Sequence, residues 1–583
     1  MKTPHSTFGA RPGWQRAARA TACAALSALA FVQAAAAATP APQRPASGWL
    51  VEWKTASRPA LAGAVTAGWQ RLPPEASPLA WRRDARVRSV VPDVREQALS
   101  VAPNDSLYPN QWWLQTLVAQ RAGVGNFSAA WLRSTGNPVS GATPVVAVLD
   151  SGITSHPDLN ARLLPGWDFV SDALYANDGN GRDNDPQDPG DAISDADRSA
   201  NPAAFSGCPP APRSSWHGTL MAGQVGAVSN NVEGVAAGNW FARVLPVRIA
   251  GKCGAAVSDI IDGMRWAAGL PVDGAPLNPN PARVIVIGYG GIDACDVNSA
   301  NDTIAATARL YVAALAEVRQ AGALVVAAAG NLRSTVGRPA SCAGAFGVTA
   351  LNREGFKAAY ANFGAGLSLA TPGGDAGSGG TCDAELGDGG IVSTGNLGPS
   401  SPGAAGYASA SGTSFAAPAV AAAATLMLAL SPGLTVPQLE DGLKRSARPF
   451  VDVPPLGSCS LGGNRSRCGC TPASCGAGML DVDEALRFAA APQSYVPLQR
   501  TAFVLNDSRV QTCAALLGLP PLPETPPPQP PPQPQPPLPS PTPEPPQQGG
   551  GSGGGATSWP WLLALCCAVV QLSRSRPGSD RRG

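Results

Sequence analysis

The stretch VVAVLDSG, at residues 145–152, is an apolar run that ends in an acidic residue, Asp150. Its apolar residues do not alternate with polar ones, which indicates a strand buried on both faces of a sheet. Similar apolar runs follow at 244–249, 284–287, 324–329 and 345–351. Small-residue stretches with helical spacing lie at 258–270, 302–321 and 414–430. This alternation predicts an α/β fold with a mostly parallel central sheet covered by helices.

Three residues suited to acyl transfer lie at the ends of such elements. Asp150 ends the first apolar run, His217 lies in SWHGT before a small-residue helix, and Ser414 lies in SGTSFAAP at the start of an Ala-rich helix. Acyl transfer of this kind needs an alcohol, an imidazole that takes its proton and a carboxylate that orients the imidazole. We therefore predict Ser414 as nucleophile, His217 as base and Asp150 as orienting carboxylate.

At these residues the chain resembles the subtilase family, in which the three motifs occur in the order Asp, His, Ser. The segment AAAGN, at 327–331, is similar to the oxyanion-hole motif of that family, so Asn331 is a fourth candidate catalytic residue. The resemblance implies a subtilisin-like three-layer fold and a serine endopeptidase that forms an acyl-enzyme on Ser414. His156, in the family-like turn SHPD, is not expected to act as a base.

Other functions fit less well. An esterase would surround Ser414 with a Gly-x-Ser-x-Gly elbow, which is missing, and a sedolisin-like acid protease would carry Glu in place of His217. A surface or adhesion protein that keeps the fold as an inactive scaffold is the alternative from another class. The complete set of candidate catalytic residues argues against it.

The chain departs from the family pattern at two places. Leu220 follows HGT where many members have a second His, which changes packing behind the helix. The segment VIGYG, at 286–290, stands where a typical member reads Asn-x-Ser-Leu-Gly. In the family this segment lines the cleft and pairs with the substrate backbone as an added strand. Gly288, Tyr289 and Gly290 are thus predicted substrate-binding residues, and Tyr289 is expected to alter specificity.

The N-terminal region reads as two removable segments. Residues 1–38 carry arginines followed by an apolar run that ends in alanines, the pattern of a signal peptide. Residues 39–103 hold strand-like runs at 49–54 and 87–94 and a helix-compatible run at 60–69. This predicts a small α+β propeptide that assists folding and inhibits until cleaved; a retained N-terminal subdomain is the alternative. The subtilisin-like catalytic domain is then expected at 104–490.

The C-terminal region changes composition sharply. An extension at 491–519 is followed by a Pro- and Gly-rich spacer at 520–557 and by an apolar segment with a basic end at 558–583. Residues 559–572 are short for a bilayer-spanning helix. The tail resembles GlyGly-type sorting signals of exported bacterial proteins, which implies contact with export and sorting machinery. A retained anchor is the alternative.

Composition and charge narrow the partners. Of 583 residues, 42 are Lys or Arg and 40 are Asp or Glu, so the net charge of +2 gives no basis for nucleic acid as a partner and leaves polypeptides as the expected substrates.

The 13 cysteines fit an exported protein that forms disulfides. Sequence alone does not fix which cysteines pair. Cys253 with Cys295, and Cys342 with Cys382, flank neighbouring core segments, while Cys459, Cys468, Cys470 and Cys475 form a local knot. A zinc site in that knot is the alternative.

The segment DGNGRDNDPQDPGD, at 178–191, is rich in oxygen ligands. Structural calcium is its functional interpretation, because calcium takes six to eight oxygens. A solvated acidic loop near the cleft is the alternative. The chemistry itself needs no cofactor.

Overall fold

The computed structural model describes residues 46–54, 64–66, 68–73, 75–94, 101–376 and 382–520. The predicted signal peptide, Cys23, the spacer beyond residue 520, Cys566, Cys567 and the predicted tail lie outside the described residues.

The strands, numbered along the chain, are β1 Ala46–Trp53, β2 Ala64–Thr66, β3 Trp69–Leu72, β4 Val87–Val94, β5 Val145–Asp150, β6 Trp167–Asp168, β7 Arg243–Arg248, β8 Ala250–Gly251, β9 Gly254–Ala255, β10 Val284–Ile287, β11 Leu324–Ala328, β12 Ala345–Leu351, β13 Leu367–Pro372, β14 Ile391–Asn396 and β15 Ala405–Ala410.

The helices are α1 Pro78–Arg82, α2 Phe127–Ala130, α3 Ala173–Ala176, α4 Asp195–Ala200, α5 His217–Gly226, α6 Val257–Ala267, α7 Asp302–Gln320, α8 Asp383–Leu386, α9 Thr413–Leu430, α10 Val436–Arg445, α11 Pro472–Cys475, α12 Val482–Ala490 and α13 Ser508–Leu516.

The predicted propeptide contains a separate antiparallel sheet in the order β2-β3-β1-β4. Val51, Trp53, Leu72 and Val90 form its buried core. The two predicted strands are present, but the helix expected over 60–69 is wrong where the structure describes it, because 64–66 form β2. There β2 pairs with β3, and this tertiary contact overrides the helix-compatible local composition.

The main sheet has seven strands in the order β13-β12-β11-β10-β5-β7-β6, and each neighbouring pair is parallel. Alternate residues of one strand enter different hydrophobic clusters: Val146 and Val148 face one core, whereas Ala147 and Leu149 face the other. Both faces of the sheet are therefore buried, as the unbroken apolar runs predict. The subtilisin-like α/β fold is confirmed.

Helices cover the two faces and complete three layers. Helices α5 and α9 lie over one face, and α6 and α7 lie over the other. In α9, every residue from Thr413 to Ala429 is buried, which fits a helix that is apolar all round. Among the described residues, α9 alone is long and apolar enough to span a membrane, and 94% of that stretch is buried inside the fold. It is thus a core helix.

The ten described cysteines form five disulfides: Cys208–Cys253, Cys295–Cys342, Cys382–Cys513, Cys459–Cys468 and Cys470–Cys475. The pairings suggested by position, Cys253 with Cys295 and Cys342 with Cys382, do not form. Order along the sequence suggested that neighbouring cysteines pair, whereas the fold brings together cysteines up to 131 residues apart. The local knot between 459 and 475 is closed by two disulfides, so its thiols are not thiolate ligands for zinc.

Candidate active site

Asp150, His217 and Ser414 meet at one edge of the main sheet. Asp150 is the last residue of β5, His217 is the first residue of α5, and Ser414 is the second residue of α9. The carboxyl ends of parallel strands and the start of a following helix face the same edge, where open α/β sheets present functional groups. The fold thus brings together residues that are up to 264 positions apart.

The distances among these side chains match a hydrogen-bonded triad, called the relay below, in which the imidazole can take the serine proton while the carboxylate orients it. His217 Nδ1 lies 2.7 Å from Asp150 Oδ1 and 2.9 Å from Oδ2, and His217 Nε2 lies 2.8 Å from Ser414 Oγ. Because a carboxylate only accepts, Nδ1 carries the hydrogen and Nε2 is left to accept from the serine hydroxyl. Asp150 is fully buried and Ser414 is only 4% exposed. The arrangement can activate a hydroxyl for nucleophilic attack.

The electrostatics of the site favour a charged imidazole. Burial lowers the pKa of His217, but the charge and hydrogen bond of Asp150, with the charges of Asp191 and Asp188, outweigh it and raise that pKa above its usual value. A raised pKa stabilises the imidazolium that forms when the serine proton is taken. It also means that the neutral base is lost as pH falls through this pKa.

Asn331 follows β11 and is fixed by Thr413. Its Oδ1 accepts hydrogen bonds from Thr413 N (2.9 Å) and Thr413 Oγ1 (2.8 Å). The carboxamide oxygen is therefore occupied, and the amide nitrogen Nδ2 is left as a donor. A Cβ placed on Gly412 would lie 3.4 Å from Nδ2 and 3.0 Å from Ser414 Oγ, so both atoms border the same small space. Sequence reasoning did not assign Thr413, although it lies inside the quoted SGTSFAAP motif.

Gly288, Tyr289 and Gly290 line a cavity of about 300 Å³ beside Asn331 and Thr413. A Cβ on Gly288 would lie 2.7 Å from Asp150 Oδ2 and 2.8 Å from His217 Cε1, so glycine is needed there for close approach. The Tyr289 ring stands edge-on to the His217 ring, with 5.5 Å between centroids. The segment expected to bind substrate thus borders the catalytic side chains.

The acidic segment 178–191 is held by protein groups. The buried Arg248 guanidinium bonds to the carboxylates of Asp168 and Asp178 and to the carbonyl of Ala176. This guanidinium supplies positive charge between Asp178, which belongs to the segment, and Asp168, which lies outside it. Calcium binding by the segment stays a prediction, which melting with and without a chelator would test.

Three layers around a parallel sheet, with an Asp–His–Ser relay at its carboxyl edge, define the subtilisin class of α/β proteins. Residues 141–478, more than half of the chain, match the Subtilase family. The chain belongs to this family.

Relatives are named as proteases. An extracellular protease of Xanthomonas campestris pv. campestris is 40% identical over 409 residues, which are 70% of this chain and 60% of that protein. Subtilisin BL of Lederbergia lenta is 30% identical over 331 residues, 56% of this chain and 89% of its own. A solved protease structure from Pseudoalteromonas arctica PAMC 21717 has a TM-score of 0.55 and 38% identity, and the match covers 66% of this chain and 99% of that chain.

The match does not extend over whole relatives. The chain spans 60% of the Xanthomonas protein, and 52% of an extracellular basic protease of Dichelobacter nodosus that is 37% identical over 360 residues.

Proposed function

We propose that this chain is an exported serine endopeptidase that hydrolyses polypeptides through an acyl-enzyme on Ser414. The observation that carries the proposal is the unbroken relay from Asp150 through His217 to Ser414, with contacts of 2.7 and 2.8 Å. Family membership and the protease names of its relatives support the same reaction.

In the proposed reaction, His217 Nε2 takes the proton of Ser414 Oγ as the oxygen attacks the scissile carbonyl carbon. Asp150 holds the imidazole in the required tautomer and stabilises its charged form. The negative oxygen of the tetrahedral intermediate is stabilised by the backbone N–H of Ser414 and by Asn331 Nδ2. His217 then gives its proton to the leaving amine, and water releases the acyl group by the reverse sequence.

The proposal is tested with a serine-directed phosphonyl or sulfonyl fluoride. Wild-type protein should be labelled and inactivated at neutral pH. Ser414→Ala should not be labelled, and its kcat should be lower by roughly 10⁶-fold. A matched control is Ser411→Ala, in the same motif but outside the relay, which should still be labelled. A wild type that neither labels nor cleaves casein would overturn the proposal.

Export and maturation form the second part of the proposal. The five disulfides and the extracellular names of the relatives support secretion. We expect the propeptide to be removed near residues 101–110, so N-terminal sequencing of secreted protein should begin there. Deletion of residues 559–583 should shift the protein from the cell envelope to the medium if the tail is a sorting signal or an anchor.

A further inference from the structure

The segment Asp188–Asp191 contacts the neighbours of two catalytic residues. Asp188 is 2% exposed, and its Oδ2 accepts a hydrogen bond of 2.6 Å from Ser151 Oγ. Ser151 directly follows Asp150, and Gly218 directly follows His217. Ser151 Oγ accepts a hydrogen bond of 3.1 Å from the N–H of Gly218. One buried carboxylate thus holds the hydroxyl that joins the end of β5 to the start of α5.

Asp191 holds the chain just before His217. Its two oxygens accept from Ser215 N at 2.7 Å and from Ser215 Oγ at 2.6 Å. The next residue, Trp216, has a φ of +50°, a left-handed conformation that is costly for a bulky side chain and needs support from its surroundings. Its indole donates to the carbonyl of Gly398 at 2.8 Å. Asp191 and Gly398 therefore hold the turn that immediately precedes His217, the proposed base.

A tight turn connects Asp188 to Asp191. Asp188 Oδ1 accepts from the N–H of Gly190 at 2.9 Å, and Gly190 has a φ of +104°. A Cβ on Gly190 would lie 2.2 Å from the carbonyl oxygen of Ser400 and 2.6 Å from Ser214 Oγ. The turn is thus packed against Ser214 and Ser400 and cannot shift without displacing these contacts.

We propose that Asp188 and Asp191 are positioning residues that clamp the strand of Asp150 to the turn of His217, and so fix the geometry of the relay. This inference rests on the proposed protease function. A misplacement of about 1 Å at a catalytic group can cost on the order of 10²-fold in rate. The clamp acts through Ser151 and Ser215, and neither aspartate touches the reacting atoms.

The clamp has an electrostatic consequence. Asp150 raises the pKa of His217 most, and Asp191 and Asp188 also raise it. Burial raises the pKa of Asp188 itself to about 7, so Asp188 carries only part of its charge near neutral pH. The titratable Tyr289 also packs against the imidazole ring. Removing one negative charge lowers the pKa of His217. The neutral base then persists to lower pH, so the acid limb of the activity profile shifts downward.

Asp191 allows the two effects to be separated. Asp191→Asn keeps an acceptor for Ser215 N and removes the charge, whereas Asp191→Ala removes both. We expect Asp191→Ala to lower kcat per active site roughly 10- to 100-fold, with KM changed less than about threefold. We expect Asp191→Asn to keep more of kcat and to shift the acid limb down by a few tenths of a pH unit, on the order expected for one partly solvated charge.

The experiment uses the full chain, with active sites counted by sulfonyl fluoride labelling so that unfolded protein does not enter kcat. Asp195→Asn and Asp195→Ala are matched controls, because Asp195 is an exposed carboxylate four positions after Asp191 that lies outside the acidic segment 178–191, and its side chain makes no hydrogen bond to the residues that the structure describes. Both should stay within about twofold of wild type.

Two results would overturn the clamp. One is an Asp191→Ala protein with wild-type kcat per active site and an unchanged pH profile. The other is a loss in the Asp191 variants that the Asp195 controls share. If Asp191→Ala yields no titratable sites, kcat per active site of Ser215→Ala, which removes the hydroxyl that Asp191 holds, decides in its place, and a wild-type value there would overturn the clamp. An inactive wild type would instead overturn the proposed function, so the two failures are distinguishable.

Discussion

The catalytic relay and the cavity wall beside it are built in different ways. Asp150 and Ser414 are buried at the ends of core elements, and the helix of Ser414 is packed on all sides. The cavity rim carries Ile292 and Leu332, which are 71% and 61% exposed, above a wall of glycines. The core thus holds the chemistry in place, while the surface that would meet a substrate side chain is constrained by few contacts. Substitutions should therefore affect rate in the first region and selectivity in the second.

The largest expected effect comes from the buried end of the relay. Asp150→Asn should fold, because Asn keeps the size of the side chain, but its amide no longer fixes the imidazole tautomer. We expect kcat to fall about 10⁴-fold. Circular dichroism and kcat per active site together measure this. A variant with kcat near the wild-type value would show that the buried carboxylate does not hold the catalytic groups in place.

Asn331→Ala should have the next largest effect, because it removes the Nδ2 donor that is left once Oδ1 is held by Thr413. In subtilisin, loss of the corresponding donor lowers kcat roughly 10²- to 10³-fold, and we expect a similar loss with little change in KM. Asn298→Ala is the matched control, because Asn298 is likewise exposed and is not among the residues that line the cavity. Equal losses in both variants would contradict the assigned role.

Gly288 lies where the two regions meet, so its substitution sharpens the comparison. The added methyl of Gly288→Ala would press on Asp150 and His217, and we expect roughly a tenfold fall in kcat from displaced catalytic groups. Gly433→Ala is the control, since a Cβ there meets nothing within 4 Å. The kinetics of the two variants, with melting temperatures, test whether the loss is local to the site.

Tyr289 belongs to the wall, and its substitution should have the smallest effect on rate. Tyr289→Ala should change the ranking of cleavage sites in a mixed peptide library, while kcat on the best peptide changes less than about threefold. Tyr289→Phe keeps the ring beside His217 and should keep the wild-type ranking. If Tyr289→Ala leaves the ranking intact, the wall does not select substrates at this position.

The elements that sequence predicted best are those determined by local pattern. Strands β5, β10 and β12 and helix α7 begin at the predicted residues, because unbroken apolar runs and helical spacing are read directly from neighbours in the chain. The motif residues likewise meet in the structure, since each marks the end of such an element.

What sequence could not predict depends on contacts between distant segments. Cys382 pairs with Cys513 rather than Cys342, and the contacts of Asp188 and Asp191 with Ser151 and Ser215 depend on the path of a long loop. The acidic composition of that loop indicated calcium and gave no sign of a clamp. No local pattern encodes which serine a loop carboxylate will reach.

The disulfide Cys382–Cys513 ties α13 to the segment that begins α8. With the proposed activity, secreted copies can cut one another, and the exposed residues 399–404 and the largely exposed loop 457–466 are open to attack. A cut between 383 and 512 would leave both fragments joined through this bond. Autolysis there would cut the backbone and leave the two fragments covalently joined, so they would separate into two bands only after reduction. Such a cut does not by itself release either fragment.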